Sequence, residues 1–114
     1  MNTQTPIAYT VIGLFDDSAV ADEWLAWLVN GHLAEVCDGG ASAAEAVRLD
    51  REPGQPLRIE ARYHFPSREV FDAYLRDHAP RLREDGLQRF PTSRGIAYER
   101  TVGEVLAVVA GEAP

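Results

Sequence analysis

Apolar and polar positions alternate most regularly in Leu57–Phe65. There Leu57, Ile59, Ala61, Tyr63 and Phe65 share one parity, and Arg58, Glu60, Arg62 and His64 the other. A period of two is the repeat of a strand with two unlike faces. An earlier run, Ile7–Phe15, is apolar and rich in β-branched and aromatic residues, with Pro6 before it and Asp16-Asp17-Ser18 after it, so it predicts a buried strand. The next segment changes to a 3.6-residue period. Val20, Trp24, Trp27, Leu28 and Gly31 fall on one side, Asp22, Glu23, Ala26 and Asn30 on the other, with Asp17 or Ser18 as the cap. Gly31 interrupts this helix and Asp38-Gly39-Gly40 ends it.

A second strand is predicted over 43–50, followed by a Pro53-Gly54 turn. After the strand 57–65, Pro66 and the capping residue Ser67 open a second helix, with Val70, Phe71, Tyr74, Leu75 and His78 on its apolar side. Pro80 predicts a kink or a new helical turn up to Asp85, closed by Gly86, and a last strand is expected over 93–102. The tail from Gly103 reads as an edge strand or an arm on a partner. The order β-α-β-β-α-β is the split βαβ arrangement: an α+β, ferredoxin-like fold with a four-stranded antiparallel sheet and both helices on one face. Right-handed crossovers set the first and third strands side by side. A chain of 114 residues accommodates this as one domain, with its core over about 7–106.

Two helices cover one face of such a sheet. On the other face the third strand presents Arg58, Glu60, Arg62 and His64, while the first strand presents an apolar row in either orientation. A central strand with an apolar outer row predicts an occluded face, and two-fold pairing through it makes a homodimer.

Charge narrows the choice of partner. The formal net charge is −7 from 18 acids and 11 bases. Residues 1–57 hold nine acids and two bases, residues 58–114 nine of each, and every base is arginine. An acidic half and the lack of a basic stripe argue against nucleic acid as a partner. The longest apolar run, Val105–Ala110, is far below the roughly 20 residues of a membrane helix, and MNTQTPIAYT does not read as a secretory leader. Single Cys37 excludes an intrachain disulfide, and the cytoplasm is the expected compartment.

His32 and Tyr63 are the leading catalytic candidates. The topology brings the end of the first helix to the end of the third strand, where a histidine and a phenol could exchange a proton with a ligand or orient it. The alternative for His32 is a helix-terminal residue satisfying a free carbonyl. Trp24, Trp27, Leu28, Phe71 and Tyr74 serve as core, as the apolar walls of a ligand cleft, or as both. His78 is either an acid or base in the apolar stripe, or a buried imidazole bonded to backbone. Arg81, and with it Arg94, offers a carboxylate clamp or a surface pair. Cys37 lies among acids, which disfavours its thiolate. His32-x-x-Glu35 has no third ligand near in sequence, so no metal site is expected, and no phosphate loop or serine elbow is present. No cofactor is expected.

The run Trp24-Leu25-Ala26-Trp27-Leu28 with His32, the strand Ile59–Phe65 leading into PSREVFDAYL, and HAPRLREDGLQRFP with Arg94 together resemble an uncharacterised bacterial family of small dimeric α/β-barrel proteins. The resemblance spans residues 7–106. The wider superfamily, resembled through the fold, includes cofactor-free antibiotic-biosynthesis monooxygenases, muconolactone-isomerase-like enzymes, polyketide cyclases and haem-handling proteins. It implies a ligand between sheet and helices, beside a histidine or an aromatic residue. Three readings follow: a cofactor-independent enzyme of isomerase, cyclase or monooxygenase type on a small aromatic or polyketide-like molecule; a non-catalytic binding module for a ligand or partner; or a haem binder through His32 or His78.

Overall fold

The computed structural model describes residues 5–112. Residues 1–4, the first part of the segment read as lacking a leader, lie outside it, as do 113 and 114. Strand β1 spans Ile7–Phe15, as its apolar, β-branched run predicts, and β3 spans Leu57–Phe65, as its alternation predicts. Strand β2 is Ala43–Arg48 and β4 is Ile96–Glu104. The four form one antiparallel sheet in the order β2-β3-β1-β4, with Tyr9 facing Tyr63 and Val11 facing Ala61 across the central pair. This is the ferredoxin-like arrangement expected from the element order.

The last strand starts later than its residue types suggest. Thr92–Arg94 form a 3-10 turn, and Gly95 takes a left-handed backbone (φ 82°) that turns the chain into β4. The second strand is likewise shorter, ending at Arg48 instead of residue 50.

The first helical region runs to Asp38 with a break around Gly31, as the glycines predict, whereas the second is longer than the sequence pattern implies; each is broken once. Helix α1 (Ser18–Trp27) is capped by Asp17, whose carboxylate accepts from the Ala19 N–H at 2.8 Å. A π-helical turn, Leu28–His32, follows, and the chain continues as α2 (Leu33–Asp38). Cys37, expected among loop acids, therefore sits in the last turn of a helix. Helix α3 (Arg68–Asp77) is capped by Ser67, and α4 runs from Ala79 to Arg89. Pro80 stands in the first turn of α4, where its missing N–H has no intrahelical bond to lose. Gly86 does not close this helix. It lies within α4, and a Cβ there would come 3.1 Å from the Trp27 ring, so it gives the indole room.

Helix-facing side chains make one core. Val20, Trp24 and Leu28 of the first helical region, and Phe71, Tyr74 and Leu82 of the second, are buried against Ile7, Tyr9, Phe15, Ile59, Tyr63 and Phe65. Phe65 and Phe71 meet edge-on at 5.1 Å between ring centres, an arrangement aromatic quadrupoles favour. The opposite face carries Ala8, Thr10, Ile12 and Leu14 of β1 beside Arg58, Glu60, Arg62 and His64 of β3. Glu60 is 7% exposed there, clasped by Arg58 at 2.7 Å and Arg62 at 3.0 Å. Burial raises its pKa, but the two arginines outweigh that and hold the carboxyl below its ordinary value. Beyond β4 the tail leaves Leu106, Val108 and Val109 in the open. Among the described residues, no helix is long and apolar enough to cross a membrane.

Candidate functional site

A cleft of about 90 Å³ opens between the sheet and the helices. Its floor comes from strand register. Tyr9 and Tyr63 stand opposite each other, their rings stacked at 5.8 Å, and the next inward pair is the smaller Val11 and Ala61. The step from phenols to small side chains leaves space above the sheet that helices resting on the tyrosines do not fill. Trp24, Trp27 and Leu28 form one wall, Tyr98 and Arg100 of β4 another, and Leu82, Arg83 and Gly86 of α4 the third.

The π turn brings His32 into this wall. Leu33 donates its N–H to the Leu28 carbonyl five residues back, so the turn holds one residue more than an α-helical one. With that extra residue His32, five positions after Trp27, lies directly over the indole: their ring centres are 4.0 Å apart and 20° from parallel. In a regular α-helix, residues five apart diverge.

His32 Nδ1 and the Tyr63 hydroxyl are both buried without a hydrogen-bond partner among the described residues, and both residues line this cleft. Burial lowers the His32 pKa, and Glu35 and Asp85 pull it the other way without prevailing. The imidazole is therefore neutral near pH 7 and able to accept a proton. Burial, then the neighbouring Tyr74, Tyr9 and Cys37, raise the Tyr63 pKa far above the usual phenol range, so its hydroxyl serves as a donor. Tyr74, also at the cleft, is pushed up to about 12, chiefly by burial. Tyr98 already donates to the Phe90 carbonyl at 2.7 Å. One neutral imidazole and one fixed O–H donor in an apolar cleft can hold a carbonyl or phenol and move a proton to or from it.

Of the residues singled out in the sequence, His32, Tyr63, Trp24, Trp27, Leu28 and Tyr74 line this cleft. Phe71, His78 and Arg81 do not. Phe71 is core beneath Tyr9, at 5.2 Å between ring centres. His78 lies parallel to Tyr74 and against Gly39. Arg81 pairs with Glu35 at 3.4 Å, and Arg94 with Glu23. Four polar cleft residues escaped the sequence reading: Tyr9, Arg83, Tyr98 and Arg100. The parity of β1 sets Tyr9 beside Val11 and so carried a signal for it. Arg83 lies on a helix that the pattern cut short at Gly86.

A haem does not fit. The cleft as it stands is smaller than the roughly 150 Å³ of a cavity that holds a benzene, and His78, one of the two candidate ligands to the iron, does not line it. Among the described residues, no three His, Cys, Asp or Glu side chains gather into a metal-holding group.

Solved structures share this fold at low identity. A dimeric ferredoxin-like protein from an uncultured marine organism superposes with a TM-score of 0.69 at 13% identity, over 93% of this chain and 100% of its own. HapK from Hahella chejuensis gives 0.62 at 22% identity, over 95% and 99%. A monooxygenase from the gene ActVA-Orf6 of Streptomyces coelicolor, in complex with nanaomycin D, gives 0.66 at 11% identity, over 97% and 96%. No curated protein matches the chain by sequence. A family match covers residues 8–105, all four strands and the whole cleft between them and the helices, and on it the chain belongs to the family described as domain of unknown function DUF4286.

Proposed function

We propose that this protein is a small-molecule-binding homodimer whose ligand occupies the cleft between sheet and helices, and that His32 and Tyr63 act on it without a cofactor. The observation that carries the reading is the pair of unpartnered buried polar atoms, His32 Nδ1 and Tyr63 Oη, in one apolar cleft. A buried polar group without a partner costs about 1–3 kcal/mol, and a ligand that supplies the partner recovers it. The neutral imidazole takes a proton from a carbon or hydroxyl next to a carbonyl. Tyr63 donates to the oxygen on which charge then collects; returning the proton to another atom completes an isomerisation, and attack of the carbanion on a second carbonyl of the ligand, whose oxygen takes the proton, completes a cyclisation. With dioxygen as second substrate the ligand is itself the reductant: a CH2 group becomes C=O, one oxygen atom entering the ligand and the other leaving as water with the two hydrogens.

Two comparisons support the choice of ligand and assembly. The Streptomyces coelicolor monooxygenase of like fold is described in complex with nanaomycin D, and the marine protein is described as dimeric. The dimer forms through the open sheet face, where Leu14 and Ile12 adjoin the Arg58–Glu60–Arg62 cluster. At about 90 Å³ the cleft is below the roughly 150 Å³ of a cavity that holds a benzene, so even a single-ring ligand has to part Trp27 from α4 or project through the cleft mouth.

A thermal-shift screen with aromatic acids and polyketide fragments tests this, followed by turnover assays on the compounds that bind. His32→Ala should abolish turnover while lowering Tm by only the few degrees that a lost ring stack implies. Binding without product in the wild type would instead identify a non-catalytic module. Wild-type turnover by His32→Ala would remove His32 from the mechanism.

A further inference from the structure

The cleft reading above leaves the chemical class of the ligand open, and three residues at the cleft narrow it. The Tyr9 hydroxyl accepts from two guanidinium groups at once: Arg83 Nη2 of α4 at 3.2 Å and Arg100 Nε of β4 at 3.2 Å. Two like charges thus converge on one neutral oxygen. Among the described residues neither arginine has a carboxylate within 4.0 Å, in a chain with 18 acids, whereas seven other arginines each have one. Arg51 and Arg68 lack one as well; what sets Arg83 and Arg100 apart is that both line the cleft and meet on one oxygen. Since both are exposed, water solvates their charges at rest, and a carboxylate at the cleft mouth can take its place. Both arginines line the cleft, and both charges reach Tyr74 on its wall.

An arginine fork matches a planar carboxylate better than it matches a phenol, because two parallel N–H donors meet two oxygens. Trp24, Trp27 and Tyr63 line the same cleft and offer aromatic faces to a ring that enters it. We propose that Arg83 and Arg100 clamp the carboxylate of a small ring-bearing acid, with its ring seated toward Trp24, Trp27 and Tyr63. The proposal rests on the cleft being the binding site and adds that its ligand is an acid. Tyr9 then serves as the resting acceptor that holds both guanidiniums in place before the acid arrives, which makes it a positioning residue.

Benzoate, benzamide and acetate separate the two ideas. Both tryptophans of the chain line the cleft, so their fluorescence reports on its occupancy. Benzoate should change that fluorescence and, at about tenfold above its Kd, raise Tm by roughly 5–10 °C. Benzamide, which has the ring without the charge, and acetate, which has the charge without the ring, should each bind at least about tenfold more weakly. Arg83→Gln and Arg100→Gln should each lose about tenfold in benzoate affinity while melting no lower than wild type without ligand. Benzamide binding as tightly as benzoate, or benzoate affinity kept in both glutamine variants, overturns the acid assignment and leaves the cleft reading standing. Acetate binding as tightly as benzoate with no fluorescence change, or no response to millimolar benzoate, overturns the cleft reading as well.

Discussion

Replacing a buried tyrosine by phenylalanine ordinarily weakens a protein, because a hydrogen bond is lost; Tyr63→Phe is expected to do the reverse. Tyr63 is 1% exposed and its hydroxyl has no partner among the described residues. In the unfolded chain that hydroxyl bonds to water, and folding strips the water away with nothing in return, at about 1–3 kcal/mol. Removing the oxygen abolishes this penalty. The void left is one atom wide and borders an existing cleft, so the lost dispersion contacts amount to a few pairs at about 0.1–0.2 kcal/mol each. The net change is a gain of about 1–2 kcal/mol, or roughly 5–10 °C in Tm for a domain of this size. Tyr98→Phe is the control. Its hydroxyl donates to the Phe90 carbonyl at 2.7 Å, and losing that bond should cost about 0.5–1.5 kcal/mol. Urea unfolding of both variants at one protomer concentration gives the comparison. A Tyr63→Phe protein that is destabilised as much as Tyr98→Phe would show that the hydroxyl is already satisfied, and the inference that it awaits a ligand would lose its basis. Conversely, a more stable variant that no longer binds ligand would show stability surrendered for function.

Three further outcomes are expected. Burial holds the His32 pKa below its ordinary 6.5, so the unfolded chain binds that proton more readily than the folded one; the associated stability is whole above about pH 6.5 and is lost as pH falls toward the folded-state value. His32→Gln should flatten that part of the stability–pH curve, and equal slopes for variant and wild type in urea titrations would contradict the assignment. Gly13→Ala would set a Cβ 2.7 Å from Phe15 Cε1 and 3.3 Å from Trp24 Cζ3, both rings being buried, and overpacking of this kind should lower stability by about 1–3 kcal/mol in calorimetry. On the proposed sheet-face dimer, wild-type light scattering should return twice the 12.6 kDa chain mass and Leu14→Glu, which puts a charge on that face, the single mass; a wild type of single mass would refute the dimer, and an unchanged dimer in the variant would place the interface elsewhere.

Strand β3 was legible to the residue because alternation with a period of two is written in consecutive side chains, and β1 because its apolar, β-branched run is bounded by Pro6 and by Asp16-Asp17-Ser18, both local properties. The caps Asp17 and Ser67 were legible for the same reason, each being an oxygen within reach of an N–H two or three residues on. Helix α4 was not. Pro80 and Gly86 each have two local meanings, and contact with Trp27, more than fifty residues earlier, decides which applies to Gly86. The start of β4 likewise depended on the left-handed turn at Gly95, which residue type alone permits but does not require.

The candidate site divides along the same line. Strand parity and topology bring His32 and Tyr63 to one region, and the register between β1 and β3 sets Tyr9 opposite Tyr63. What the order of residues could not state is that Leu28–His32 takes one extra residue into its turn and so lays the imidazole on Trp27. Nor could it state that Arg81 finds Glu35 while Arg83 finds only a phenol. Whether a polar atom has a partner is a property of everything around it in space. Element type and face were therefore set along the chain, whereas the unpartnered atoms and unpaired charges that define this cleft arose only when distant segments closed over one another.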